Sequence, residues 1–149
     1  MGNTDRGDDA AGPGVARWLA DKLPADVRII EHDGEPASLL ASLEGVEAAY
    51  LIDASVSGMP SGHVRRLDVT SSPLPGGSFS ASTHGLGLAE AVELARVLGD
   101  LPARCIVYAI EGSSFEPGAA PSSAVAVAMI DVGGRVRDEI RDWLGQGNA

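Results

Sequence analysis

The sequence predicts an α/β protein: a three-layer α/β/α sandwich around a mostly parallel, twisted sheet. Two segments, Ala48–Ile52 and Cys105–Ile110, are apolar throughout, which is typical of parallel strands that are buried on both faces. Segments with apolar residues at helical spacing alternate with these strands, as they do in parallel α/β proteins. The length of 149 residues fits one domain, so we assign residues 1–149 to a single domain.

The first half of the chain is predicted to contain two helices and two strands. In Val15–Leu23 the apolar residues recur at helical spacing, and a proline follows the segment. Val27–Ile30 is predicted as a short strand. Pro36–Leu43 is predicted as a helix, because proline is well suited to a first helical turn. Ala48–Ile52 is a buried strand that ends at Asp53.

The second half is predicted to contain two more strands and two more helices. Val64–Val69 alternates imperfectly between apolar and polar residues, which indicates a more exposed strand. Leu86–Leu98 has the clearest helical pattern of the chain. Cys105–Ile110 is a buried strand that ends at Glu111, and Ser122–Leu144 is a helix with a serine available as its N-cap.

Charge and composition exclude several classes of protein. The formal net charge is −10 and no stretch is rich in Lys or Arg, so we expect neither nucleic acid nor an anionic membrane as a partner. No apolar run approaches the roughly 20 residues of a membrane-spanning helix. A single cysteine, Cys105, excludes a disulfide framework and multi-cysteine metal sites. We expect a cytoplasmic monomer.

Acidic side chains follow several of the predicted strands. Asp33, Asp53 and Glu111 come directly or soon after the strands predicted to end at Ile30, Ile52 and Ile110. In parallel α/β sheets the ligand crevice lies at the carboxyl ends of the strands. The sequence therefore predicts a functional site at an acidic edge of the sheet.

The N-terminal segment Gly2–Gly14 contains four glycines and three aspartates before a predicted helix. A glycine-rich loop before a helix can bind phosphate, but Asp8 and Asp9 would repel it and no P-loop lysine follows. Two interpretations of these aspartates stay open at this point. One of them caps the helix and complements its dipole, or one of them serves as a metal ligand or acid–base group.

His84 is placed immediately before the best predicted helix. With Asp9 and Asp53 it would complete a set of two carboxylates and one imidazole. Such a set suits a divalent ion of intermediate softness, such as Ni²⁺ or Zn²⁺, and leaves coordination positions open for a substrate.

Five segments, in order, carry a resemblance to a known family: GNTDRGDDAAGPG, EHDGEP, YLIDASVSGMPSGHVRRLD, STHGLGLAEAVELARVLGDLP and IVYAIEG. Together they resemble the nickel–iron hydrogenase maturation proteases. These endopeptidases remove the C-terminal tail of the hydrogenase large-subunit precursor. The resemblance extends from Gly2 to about Gly112.

The resemblance implies a fold, an activity and a set of site residues. It implies a five-stranded sheet and a hydrolase, a peptidase that the family classification calls aspartic-type. The metal is nickel presented by the substrate, for which zinc or cadmium could substitute, and the partner is the large-subunit precursor. By motif, the ligands are Asp9, Asp53 and His84, with Asp9 and Asp53 also as the catalytic residues. Three further residues of the matching motifs are implied in binding: Asp33, Gly2 and Asn3.

One departure from the family pattern leaves alternatives to the protease interpretation open. The family has an apolar strand directly before the Gly-Asn pair, whereas here only Met1 precedes Gly2. We expect a misassigned start of the chain. The alternatives are a non-catalytic protein that binds nickel or recognises the precursor, an N-terminally truncated inactive member of the family, or an anion-binding α/β protein.

Overall fold

A computed structural model describes residues 1–75 and 85–147 of the chain. These residues form a 3₁₀ helix, four α-helices and three strands. In chain order they are the 3₁₀ helix Gly7–Ala10, α1 (Ala11–Leu19), α2 (Pro36–Leu43), β1 (Ala48–Ser55), β2 (Val64–Asp68), α3 (Gly85–Leu98), β3 (Arg104–Glu111) and α4 (Ser123–Gly147).

The three strands form one sheet in the order β1-β3-β2. β1 and β3 are parallel, with Ala48 opposite Arg104 and Ser55 opposite Glu111. β2 is antiparallel to β3, so the sheet has one parallel and one antiparallel pair. The apolar part of β3, Cys105–Ile110, is fully buried because β3 lies in the centre of the sheet and is covered on both faces.

Helices cover both faces of this sheet, which confirms the α/β layered architecture. Successive side chains of a strand point to opposite faces. Cys105 and Val107 of β3 therefore pack in the core cluster that contains α2 and α3 residues. Ile106 and Tyr108 pack in the cluster formed with α1 and α4.

Most of the predicted elements are confirmed, with shifts at their ends. The first helix begins at Ala11 and ends at Leu19, earlier than the predicted Val15–Leu23, because Gly12 and Pro13 fit within its first turn, where a missing N–H costs nothing. β1 continues to Ser55, so Asp53 lies inside the strand.

The predicted strand Val27–Ile30 is wrong. Within the described residues this segment has no ladder partner and is assigned no strand. Ile29 and Ile30 are 39% and 50% exposed. The segment and β1 line a common groove, and strand structure requires a neighbour that supplies hydrogen bonds.

A polar cluster fastens α4 to the sheet. Glu139 of α4 accepts hydrogen bonds from Arg66 Nε at 2.8 Å, from Arg104 Nη2 at 3.0 Å and from the Tyr108 hydroxyl. The hydrogen bonds from Arg66 contribute most to lowering the pKa of Glu139, and those from Tyr108 and Arg104 add to the effect. They outweigh burial, which raises the pKa, so that the pKa falls from 4.5 to about 2.

Candidate active site

The N-terminal segment folds back over the end of β1. Gly2 and Gly7 have φ angles of 121° and 56°, in the region that favours glycine. A Cβ on Gly2 would lie 2.0 Å from the Asp9 carbonyl oxygen, and one on Gly7 would lie 2.4 Å from the Ser114 oxygen. The two glycines therefore allow the close approach that buries the aspartates.

Asp9 is 1% exposed. Its Oδ2 accepts a hydrogen bond from the Asn3 amide at 3.0 Å. Its Oδ1 is buried and has no hydrogen-bond partner among the residues that the structure describes. A buried acceptor left without a partner costs about 1–3 kcal/mol, so this oxygen is the most unusual polar atom of the segment.

Asp53 of β1 is fully buried, and its Oδ1 accepts a hydrogen bond from the Ala54 amide at 2.9 Å. The charges of Asp53 and Asp9 both act on the Met1 ammonium. Burial lowers the pKa of that ammonium, and the two carboxylates oppose the shift. The structure thus brings the two predicted catalytic aspartates to the same buried group.

Asp33 lies in the loop before α2, where the His32 side chain accepts a backbone hydrogen bond. The Gly34 amide donates to His32 Nδ1 at 2.9 Å, and the Glu35 amide donates to Asp33 Oδ1 at 3.1 Å. The Asp33 side chain is 82% exposed. The loop packs against the first turns of α3, because a Cβ on Gly87 would lie 2.1 Å from the Gly34 oxygen.

The predicted ligand His84 lies outside the described residues, directly before the first residue of α3. Across residues 1–75 and 85–147, no group of three or more His, Cys, Asp and Glu side chains could hold a metal ion. The predicted metal set, which needs His84, is therefore neither confirmed nor contradicted. Gly2 and Asn3 both lie against Asp9: the Asn3 amide donates to Asp9 Oδ2, and a Cβ on Gly2 would lie 2.0 Å from the Asp9 carbonyl oxygen.

Asp8, adjacent to Asp9, has a different role. Its carboxylate accepts hydrogen bonds from the amides of Ser122 at 2.7 Å, Ser113 at 2.8 Å and Ser114 at 3.1 Å. Burial raises the pKa of Asp8, but these amides outweigh it and lower the pKa below its ordinary value. The N-cap of α1, Ala10, has no side-chain hydrogen bond, so neither aspartate caps α1.

Glu111 is likewise bound within the fold. It accepts hydrogen bonds from the Ser55 hydroxyl, from the Ser57 amide and hydroxyl and from the Gly58 amide. Burial raises the pKa of Glu111, but these hydrogen bonds, with that from the Ser57 amide first among them, outweigh burial and lower the pKa below its ordinary value. The sequence pattern places Glu111 at the predicted site, whereas in the structure its carboxylate binds the amides of the loop after β1. No local signal marks the roles of Asp8 and Glu111, because their partners lie far away along the chain.

A model of the hydrogenase maturation protease family, HycI, matches residues 15–136. The chain belongs to this family. The resemblance inferred from five motifs is confirmed, and the enzyme class that goes with the family is a peptidase, a hydrolase. Comparison with the curated proteins gives no significant sequence match.

Solved structures confirm the fold. The hydrogenase maturating endopeptidase HybD from E. coli has a TM-score of 0.80 and 22% identity, covering 95% of this chain and 88% of HybD. The [NiFe] hydrogenase maturation protease HybD from Thermococcus kodakarensis has a TM-score of 0.71 and 22% identity, with 92% and 93% covered. HycI from the same organism has a TM-score of 0.71 and 21% identity, with 92% and 86% covered.

No helix within residues 1–75 and 85–147 combines the length and the apolar character needed to cross a bilayer.

Proposed function

We propose that this protein removes the C-terminal tail of a nickel–iron hydrogenase large-subunit precursor after nickel has been inserted into that precursor. Membership of the maturation protease family supports the reaction class. The observation that carries the nickel dependence is the buried Asp9 Oδ1, which has no hydrogen-bond partner in the described part of the chain.

The nickel belongs to the substrate in this proposal. Cysteine thiolates of the precursor hold it, and Asp9, Asp53 and His84 supply the remaining ligands. A borderline ion accepts both soft thiolates and harder carboxylate and imidazole groups. A precursor without nickel would leave Asp9 Oδ1 without a partner, so it would dock more weakly.

The buried position of the two aspartates favours this recognition. Asp9 is held by the Asn3 amide and Asp53 by the Ala54 amide, so neither carboxylate has to be ordered when the substrate arrives. Preorganised ligands lose little conformational entropy on binding.

Two routes would activate the water that attacks the scissile peptide. In the first, Asp9 or Asp53 accepts the proton of the water as a general base. In the second, the substrate's nickel lowers the pKa of the water. The first route makes the protein an aspartic-type peptidase. The cytoplasmic location and the monomeric state stay predictions.

The experiment is an intact-mass measurement on a large-subunit precursor incubated with the protein, with and without nickel loaded into the precursor. We expect loss of a C-terminal fragment only from the nickel-loaded sample. Loss from both samples would contradict the nickel dependence. Binding of the nickel-loaded precursor without loss of a fragment would favour a recognition protein instead of a protease.

A matched pair of variants gives the control. Asp9→Asn removes the charge of the buried carboxylate, whereas Asp5→Asn removes the charge of an exposed acid in the same segment. We expect the first variant to lose tail removal and the second to retain it. Equal loss in both would point to a general charge effect on docking.

A further inference from the structure

His32 lies in the loop before α2, between two segments of the candidate site. Its carbonyl accepts a hydrogen bond from the Gly2 amide at 3.1 Å, and Gly2 lies against Asp9. Two residues further along the loop, Gly34 lies against Gly87 in the first turn of α3, the helix that follows the predicted histidine ligand. The conformation of this loop therefore bears on both the segment that carries Asp9 and the start of α3.

Both ring nitrogens of His32 have a partner. The Gly34 amide donates to Nδ1 at 2.9 Å, and Nε2 lies 3.0 Å from the Ser38 hydroxyl oxygen. An imidazole nitrogen accepts a hydrogen bond only when it carries no proton. This geometry therefore belongs to the neutral ring, with its proton on Nε2 and directed to Ser38. The side chain is only 9% exposed, so both contacts are largely shielded from water.

The hydrogen bond from Gly34 fixes a loop that has no regular structure. Residues 31–35 are assigned neither helix nor strand, so their backbone groups depend on side chains and on neighbouring segments for partners. Gly34 is buried and has a φ of 93°. Its carbonyl oxygen lies so close to α3 that a Cβ on Gly87 would lie 2.1 Å from it. Loss of the bond to His32 would therefore loosen the contact between the loop and α3.

Protonation of His32 would replace the acceptor at Nδ1 with a donor. The added proton would face the Gly34 N–H, so the hydrogen bond between them would break. Asp33 Oδ1 lies 3.6 Å from Nδ1 and would attract the charged ring. The same oxygen accepts the Glu35 amide at 3.1 Å, so the charged ring and this amide would compete for it. Both side-chain hydrogen bonds of the loop are thus affected by one proton.

The charges around the ring favour Asp33 as the partner of a protonated His32. Neither α2 nor the first turn of α3 carries a charged residue. The charged groups come from the loop itself, from α1 and from the N-terminus: Asp33, Glu35, Glu31, Arg17 and the Met1 ammonium. Glu35 accepts two amides of the first turn of α2, and Glu31 pairs with Arg17 at 3.7 Å.

We propose that His32 is a positioning residue that makes the loop Asp33–Glu35 sensitive to pH. The neutral imidazole holds the loop against α3, and the protonated imidazole releases it. Histidine side chains change charge between about pH 5 and 8, so the release occurs within that range. Because the loop lies between the Asp9 segment and α3, its release weakens docking of the precursor at acid pH; this consequence rests on the proposed function.

Two substitutions separate the roles of the two ring nitrogens. In His32→Asn the side-chain oxygen takes the place of Nδ1 and can accept the Gly34 N–H at any pH, as in an Asx turn. In His32→Gln the side-chain amide takes the place of Nε2, so the contact with Ser38 is kept and the acceptor for Gly34 is lost. His63→Asn removes an exposed histidine and is the matched control.

The first readout is the protection of the Gly34 amide against hydrogen exchange, relative to an unstructured peptide at the same pH. In the unchanged chain and in His63→Asn, we expect this protection to fall at least about tenfold from pH 8 to pH 5. It should stay high at both pH values in His32→Asn and be low at both in His32→Gln. The Thr70 amide donates to Asp68 Oδ1 at 3.0 Å across the same spacing, and as the reference it should not change.

Two results of the exchange measurement would overturn the proposal. One is a protection of Gly34 that is equal at pH 5 and pH 8 in the unchanged chain. The other is a fall of the same size in His32→Asn, because a group other than His32 would then control the loop.

The second readout, KM for tail removal, tests the consequence for docking. Between pH 8 and pH 5 the KM of the unchanged chain should rise at least about threefold more than that of His32→Asn, with kcat changing equally in both. Titration of the precursor and of other site groups is common to the two chains, so the difference isolates His32. Identical KM profiles would overturn the link to docking. If no chain removes a tail, the proposed function fails, and the exchange measurement still decides the role of His32.

Discussion

Asp8 and Asp9 are neighbours in one 3₁₀ helix and are almost equally buried, at 0% and 1% exposure. Asp8 accepts hydrogen bonds from three backbone amides and ties the N-terminal segment to the loop before α4. Asp9 has a single bond to Asn3 and one oxygen without a partner in the described residues. Burial of a carboxylate alone therefore does not mark a functional group; the difference is whether the fold uses its lone pairs.

The largest effect is expected from a substitution at Asp9, the aspartate whose carboxylate is only partly used by the fold. Asp9→Asn should reduce kcat/KM for tail removal by at least about 1000-fold, on the order of 4 kcal/mol in the barrier, because the charge that would meet the substrate's nickel is lost. Tail release is followed by intact mass. The free energy of unfolding should stay within about 1 kcal/mol of the unchanged chain. A folded variant with unchanged activity would remove Asp9 from the site.

A substitution at Asp8 tests whether this aspartate contributes to stability. Asp8→Ala should lower the free energy of unfolding by about 3 kcal/mol, because three backbone amides lose an ionised acceptor. Urea denaturation measures the change. Asp5→Ala, at an exposed acid in the same segment, is the control and should be nearly neutral. A neutral Asp8→Ala would mean that these amides find other acceptors.

Glu139 is a third acid for this comparison, and like Asp8 it accepts hydrogen bonds from other residues of the fold. Its pKa is lowered from 4.5 to about 2 by Arg66, Tyr108 and Arg104. A depressed folded-state pKa contributes stability above the unfolded-state pKa, and that stability is lost as the pH falls from about 4.5 towards 2. We expect a loss on the order of 2 kcal/mol across this window.

The control for this titration is Glu139→Gln, followed by denaturation at several pH values. The variant should be less stable at neutral pH, and its difference from the unchanged chain should shrink as the pH falls below 4.5. A difference that is constant with pH would show that the carboxylate charge contributes nothing.

The smallest expected effect is that of a substitution at Asp33, an exposed acid in the loop before α2. Its side chain is 82% exposed, so Asp33→Asn should leave folding unchanged. If the loop contacts the docked precursor, KM for tail removal should rise by less than about tenfold with kcat unchanged. A fall in kcat at constant KM would instead place Asp33 with the reacting groups.

The apolar segments were the most predictable part of the fold. The runs Ala48–Ile52 and Cys105–Ile110 identify β1 and β3 because helices cover both faces of the sheet. Cys105–Ile110 is buried throughout, whereas in Ala48–Ile52 only Leu51 is buried and the other residues are half-buried. Val27–Ile30 has the composition of a strand and is not one, because strand structure depends on a neighbour that its own residues do not specify.

The site was predictable only in part, for a related reason. Asp53 could be inferred from its place at the end of an apolar run. Asp8 and Asp9 could not be told apart locally, because the amides that bind Asp8 belong to Ser113, Ser114 and Ser122, more than 100 residues away in the chain. Asp9 was favoured by the proposed ligand set with Asp53 and His84 and by the family resemblance.

The most direct test of the Asp9 hypothesis compares the affinity for the nickel-loaded precursor with the affinity for the nickel-free precursor. Both affinities are measured immediately after mixing, before the tail is released, for the unchanged chain and for Asp9→Asn. If Asp9 Oδ1 is reserved for the substrate's nickel, the unchanged chain should prefer the nickel-loaded precursor by at least about tenfold, or 1.4 kcal/mol, and Asp9→Asn should lose that preference. The same preference in both proteins would contradict the assignment of Asp9 to nickel recognition.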